Sequence, residues 1–217
     1  MPTRRYVSSV RTAAAAAKRA RVIDAAARSL REDASIASFS LDAVAKAAGV
    51  TRLTVYHQFG SRRGLLEAVF DDIARQGGLT EIADAMAMPD PHASLDRLVE
   101  IFCAFWSRDR AVGRLHEAMA TDPEFAQALL ERNERRRTTF NALVRRIAAK
   151  TASPRARRDA VDMIFALTSF AMFAMLRHDR SVGEVCKLVK SACRSALRPL
   201  GRPPEPAPPP PRTWRAS

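Results

Sequence analysis

Apolar positions recur every three or four residues along most of the chain, a spacing that predicts helices and no strands. Val22, Ile23, Ala26, Ala27 and Leu30 share one face of a helix from about Arg19 to Glu32, and Arg19, Arg21, Arg28 and Arg31 cover the rest. Phe39 anchors the connector that follows. Leu41, Val44, Ala45 and Ala48 then fall at i, i+3, i+4 and i+7 behind Ser40, whose hydroxyl suits a helix start. Gly49 stands where that helix must stop, because a left-handed residue strains any side chain with a Cβ. Thr51 caps a second short helix. On it Val55 and Phe59 point inward, while the pairs Arg52/Tyr56 and Leu53/His57, each four apart, lie on the outer side. Ser61 opens a third helix that buries Leu65, Leu66, Val69, Phe70 and Ile73.

Gly77-Gly78 loosens or ends that helix, and a further helical piece reaches to about Met88. Pro89-Asp90-Pro91 is a clear break, so the boundary between two domains is placed within residues 76–91. Beyond it, Ser94 to Arg108 is amphipathic through Leu95, Leu98, Val99, Phe102, Phe105 and Trp106. Ala111 to Ala120 makes a shorter helix. Asp122-Pro123 begins a long one whose inner face includes Phe125, Leu129, Leu130, Phe140, Leu143 and Val144. Its outer side is read as basic, with Arg135, Arg136, Arg137, Arg145 and Arg146. Ser153-Pro154 opens a helix to about His178, and Ser181 caps the last, to Leu197; their short link makes them antiparallel neighbours. Within them Met163 to Leu176 is apolar except for Thr168 and Ser169, too short for the ~20 residues that span a bilayer. The run is expected to be one helix buried all round.

Charge changes this picture from a plain helical protein to one with a polyanionic partner. The 217 residues carry a formal net charge of +13, which points first to nucleic acid and then to an acidic membrane surface. Residues 1–18 hold Arg4, Arg5, Arg11 and Lys18 without an acid and are expected to form a disordered basic arm; residues 199–217 are Pro-rich and expected to be a disordered tail. The 3 cysteines, Cys103, Cys186 and Cys193, do not make a disulfide framework. No leader-like segment is visible, which makes the cytoplasm the default.

From Arg19 to Phe70 these elements carry a specific string. Ala-Gly-Val-Thr, a variable trio, Val-Tyr-His-x-Phe, then Ser-Arg and Leu-Leu resemble the DNA-binding end of the TetR (tetracycline repressor) family. The likeness covers about a quarter of the chain; the remainder agrees in length and helical pattern. It implies an all-α fold, with a three-helix head at 19–76 that binds double-stranded DNA and a body at 91–198 that binds a small-molecule effector. It further implies a homodimer built by the helices at 155–178 and 181–197. The candidate DNA contacts are Ser40, Thr51, Arg52, Leu53, Thr54, Tyr56, His57 and Arg62. A cation, a phenol and an imidazole on one short helix suit phosphates and base edges. Arg62 stands where the family usually has a phosphate-contacting Lys. Cations in a helix's first turn oppose its dipole unless an anion docks there.

The candidate effector wall is Phe102, Phe105, Trp106, His116, Met119, Phe165, Met172 and Phe173, with Cys103 and Met175 nearby. Its composition suits a lipophilic or aromatic ligand. Four scattered histidines, and the lack of Cys-x-x-Cys, His-Glu-x-x-His, Gly-x-Ser-x-Gly or a phosphate-binding glycine loop, offer no metal site, cofactor or catalytic group. The expected function is a ligand-responsive repressor on a palindromic operator. The alternatives are an activator of the same family, a DNA-binding structural protein without sequence choice, and an enzyme on a helical scaffold.

Overall fold

The first three turns after the N-terminal helix are set by local capping. In the computed structural model, which describes residues 4–32 and 38–201, α1 (Arg4–Glu32) is followed by α2 (Leu41–Ala48), α3 (Arg52–Phe59) and α4 (Arg62–Gln76). The hydroxyls of Ser40, Thr51 and Ser61 accept the amides of Ala43, Thr54 and Gly64 at 3.1, 3.2 and 3.0 Å. Each hydroxyl satisfies one N–H that its helix cannot. Gly49 sits at φ 64, ψ 38 and turns the chain between α2 and α3. Val22, Leu30, Val44, Val55, Leu65, Leu66 and Val69 close a small core with almost no exposure.

α1 begins at Arg4, so residues 4–18, expected as a disordered arm, lie in this helix; residues 1–3 and the tail from 202 onward lie outside the described residues. The chain also stays packed past Pro199, since a 3-10 turn at Arg198–Gly201 buries Leu200.

A 3-10 turn at Leu79–Glu81 leads into α5 (Ile82–Ala87), and the body follows as α6 (Pro91–Arg108), α7 (Arg110–Thr121), α8 (Pro123–Ile147), α9 (Pro154–Leu167), α10 (Phe170–Leu176) and α11 (Val182–Ala196). Asp90 accepts the His92 amide at 2.8 Å with Pro91 at the first helical position, so α6 starts ahead of the expected Ser94. The glycine at 77 is needed for close packing, because a Cβ there would lie 2.6 Å from Phe105 Cδ2 and 2.8 Å from the Ile73 carbonyl oxygen. The head leans on the body through α1 against α7 and α4 against α8.

One expected helix is two. The run at 154–178 breaks at Thr168-Ser169, and α9 and α10 meet at 57°. The Thr168 hydroxyl donates back to the Ile164 carbonyl at 2.8 Å, while Ser169 caps α10 by accepting the Met172 amide at 3.2 Å. Nor is the run buried all round: Met163 is 52% and Met175 66% exposed. Among the described residues no single helix is long and apolar enough to cross a membrane; α9 and α10 pass only as this bent pair.

Candidate nucleic-acid interface and aromatic cluster

α3 is eight residues long and held at both ends. Thr51 caps its start, and Arg19 reaches from α1 to donate to the Gln58 carbonyl at 3.2 Å while stacking over the Phe59 ring at 4.4 Å. Val55 is fully buried and fixes the rotation of the helix. That rotation leaves Leu53 62% and Tyr56 55% exposed, beside the exposed Arg52 and His57. Arg52 lies 3.3 Å from Asp42 across the turn, with both side chains mostly in solvent. A screened pair of this kind contributes little and is readily exchanged for a phosphate. Thr54 is half-buried, its hydroxyl 2.9 Å from that of Thr51, and Ser40 is held by its own capping role.

Arg62 takes a different course from the one its position suggests. Its Nε donates to the Phe39 carbonyl and its Nη1 to Asp122, each at 3.2 Å. Asp122 is itself the cap of α8, accepting the Phe125 amide at 2.9 Å. A parallel arrangement joins α1 to α7. Arg31 donates to both oxygens of Asp109 at 2.6 to 3.1 Å, and Asp109 caps α7 through the Ala111 amide at 2.9 Å. Burial alone would raise the Asp109 carboxyl, but the Arg31 bond, the Ala111 amide and the Arg31 charge together hold it below its usual range. Both ends of α7 thus lie at a carboxylate gripped by a head arginine.

Of the expected effector wall, the structure gathers Phe102, Trp106, His116 and Phe165 into one cluster. Phe102 stacks near Trp106 with centroids 6.3 Å apart, and His116 meets the Trp106 ring edge-on at 5.8 Å. His116 donates through Nδ1 to the Val112 carbonyl at 2.9 Å. Burial, with a contribution from the Arg136 charge, keeps its imidazole below the ordinary value and so neutral near pH 7. Phe105 abuts the cluster but faces the head, edge-on to Phe70 at 6.2 Å. Met119 and Met172 are half-buried and Phe173 is buried.

Two members were not expected. Phe170 stacks on His116 with centroids 4.3 Å apart. Arg136, read as part of the basic outer side of α8, is only 8% exposed. It points its Nη1 at the Thr168 carbonyl, 2.5 Å away, and lies over the rings of Phe165 at 4.3 Å and Phe102 at 5.6 Å. Its spacing carried the signal: Leu129, Arg136, Phe140 and Leu143 are seven, four and three apart, on the same buried stripe. Elsewhere in the body, Cys103 of α6 lies beside Cys186 of α11, and the neighbouring thiol together with burial holds Cys103 above the ordinary thiol range.

A family model described as bacterial regulatory proteins, tetR family, matches residues 22–69. The chain is 31% identical over 106 residues to the HTH-type transcriptional regulator EthR of Mycolicibacterium smegmatis. That alignment takes in 48% of this chain and 48% of the relative, so the chain spans about half the length of the curated relative it matches. A TetR-family transcriptional regulator from Mesorhizobium loti superposes with a TM-score of 0.57 at 18% identity, over 84% of this chain and 96% of that one. A transcriptional regulator from Aquifex aeolicus, described as TerR/AcrR family, superposes with a TM-score of 0.61 at 11% identity, over 82% and 98%. At these identities the two structures share the fold with this chain.

Proposed function

We propose that this chain, whose head is that of the tetR family of bacterial regulatory proteins, is a dimeric repressor that reads a palindromic operator through α3 and releases it on binding a small-molecule effector. Residues 19–76 are the reading head and 91–198 the effector and dimer body. The observation that carries this reading is the outer face of α3. Leu53 and Tyr56 stand more than half exposed on a helix pinned at both ends. Apolar area left in water beside a cation and an imidazole is suited to thymine methyls, base edges and phosphates.

One α3 covers few base pairs, so selectivity needs two heads a helical turn, ~34–36 Å, or a multiple apart. Met163, Met175 and Leu188 project from α9, α10 and α11 at 52, 66 and 42% exposure, and a second copy would cover them. Effector response follows from α7. His116 and Met119 belong to it, and its two ends lie at the carboxylates held by Arg31 and Arg62. A ligand that wedges α7 away from α10 would move the head, and its differential affinity for the two head spacings would set the shift in DNA binding.

The test is fluorescence anisotropy on a duplex selected from a random pool. Tyr56→Ala and Leu53→Ala should each weaken binding at least tenfold without changing the melting temperature, and log K should fall steeply with log salt. Parent-like affinity in both variants would remove α3 as the reading element. A specific-to-nonspecific ratio near one would turn the assignment to a structural DNA-binding protein.

A further inference from the structure

Arg136 brings a full charge into a cluster of neutral groups. Its partners are the Thr168 carbonyl at 2.5 Å, the Thr168 hydroxyl at 3.3 Å and the two phenyl faces of Phe165 and Phe102. Its Nε is buried with no hydrogen-bond partner. Asp162 and Glu134 are both bonded to the adjacent Arg137. Arginine is almost never buried without an anion, because an uncompensated charge in a core is among its costliest features. Desolvation, with a smaller part from Arg137, lowers this guanidinium to about 10, so it stays charged at neutral pH.

Bracing the α9–α10 break does not account for the charge. Trp106 Nε1 already donates to the same Thr168 carbonyl at 3.0 Å, as a neutral donor. The unpartnered Nε and the fork geometry are what a carboxylate takes. A dianion fits less well, since the other cation at hand, Arg137, is already paired to acids. The cluster is not sealed either: Phe165 under the guanidinium, His116 within reach of its charge, and Phe170 stacked on His116 are only half-buried.

We propose that Arg136 anchors the acid group of an amphipathic monocarboxylate whose apolar body lies along Phe165, Phe170 and His116. This rests on the body being the effector domain, and it names the effector's chemistry, an acid in place of a wholly lipophilic molecule. The incoming carboxylate competes with Thr168 for the guanidinium and leaves Trp106 as the remaining donor at the break. The α9–α10 bend and the adjoining α7 then respond to the same ligand.

Titration calorimetry on the full chain tests it, with decanoate and 4-tert-butylbenzoate as acids and decanamide and 4-tert-butylbenzamide as neutral isosteres. At least one acid should bind ten times more tightly than its amide. Arg136→Met should erase that preference, and Arg136→Lys should keep part of it. Equal binding of acid and amide, binding of neither acid, or a preference that survives Arg136→Met would overturn the proposal. The acid-to-amide ratio is read on the parent, so a variant that fails to fold does not blur the result. Operator binding is measured on the same samples without ligand. Its loss with the acid preference intact would sink the regulator and spare the anchor, and the opposite pattern would do the reverse.

Discussion

Removing Asp109 separates two contributions that the structure places on one side chain. Its Oδ1 accepts the Ala111 amide and caps α7, and both oxygens accept from Arg31, with side-chain exposures of 13% for Asp109 and 37% for Arg31. Losing a cap costs ~1 kcal/mol. A charge-assisted bond contributes roughly 1.5–3 kcal/mol, and solvent around the partly exposed Arg31 brings that toward ~1 kcal/mol. Asp109→Asn keeps a cap of similar quality and loses the charge, so it should cost ~1 kcal/mol, whereas Asp109→Ala should cost ~2 kcal/mol. Arg31→Met should match Asp109→Asn. The double variant Arg31→Met/Asp109→Asn should cost no more than about either single, because both remove one interaction. Urea midpoints read by circular dichroism and by tryptophan fluorescence give the four values, provided the two probes coincide. In a chain of this size each kcal/mol moves the melting temperature by ~2–4 °C. The carboxyl is lowered in the folded protein. Its contribution is therefore full above the ordinary aspartate value and is lost as pH falls through the lowered one, below about pH 4. The parent should accordingly lose stability faster than Asp109→Asn over that acid range. Single costs that add up in the double variant would show that Arg31 and Asp109 are not coupled and would remove the grip of α1 on α7.

Gly49→Ala meets no atom within 4 Å but must hold φ +64; backbone strain alone should cost ~1 kcal/mol, visible as a drop of a few degrees in the thermal melt. Gly77→Ala must also displace Phe105 or the Ile73 carbonyl, and it should lower the melting temperature more than Gly49→Ala does. Met163→Glu/Leu188→Glu places charges on two exposed apolar sites. Sedimentation should then show a single chain, with operator affinity falling at least a hundredfold while the protomer's secondary structure is retained; an unchanged dimer would move the interface away from α9 and α11.

What could be read from sequence was local. Ser40, Thr51, Ser61, Ser153 and Ser181 are N-caps in the structure, because the bond that makes a cap spans three residues or fewer. Gly49 was legible for the same reason, and Val55 and Phe59 because period and direction are linked in a helix. The misses involve partners far away in the chain. Thr168 and Ser169 were visible as polar residues in a greasy run. The break there also depends on donors from Trp106 and Arg136, 62 and 32 residues off. Arg62 suits a phosphate by its place in α4, and its partner Asp122 is 60 residues on. Arg136 differs from its expected place for another reason: composition assigns it to a basic face while phase assigns it to the core. A lone charge within an apolar stripe carries more information than the run of arginines around it.

The same long-range pairs give the head and body a common mechanical element. Asp109 and Asp122 each fasten a helix start and a head arginine at once, so α7 cannot shift along or across its axis without disturbing a cap or a bridge. Salt bridges on a free surface would not serve, since solvent screens them and long side chains follow small motions at little cost. Here the side chains of Asp109 and Asp122 are 13% and 17% exposed and are tied to backbone amides. Displacement of α7 is therefore transmitted to α1 and α4, the two helices on which α2 and α3 rest. His116, which lines the aromatic cluster from α7, lies in its second half, toward the end bound by Arg62. Pressure from a ligand at that cluster would act first on α4 and so on the placement of α3, with α1 held more firmly by its two-oxygen bond to Asp109. The expected motion is a pivot of the head about the Arg31–Asp109 contact, which changes the separation of two α3 helices in a dimer more than it changes the fold of either head.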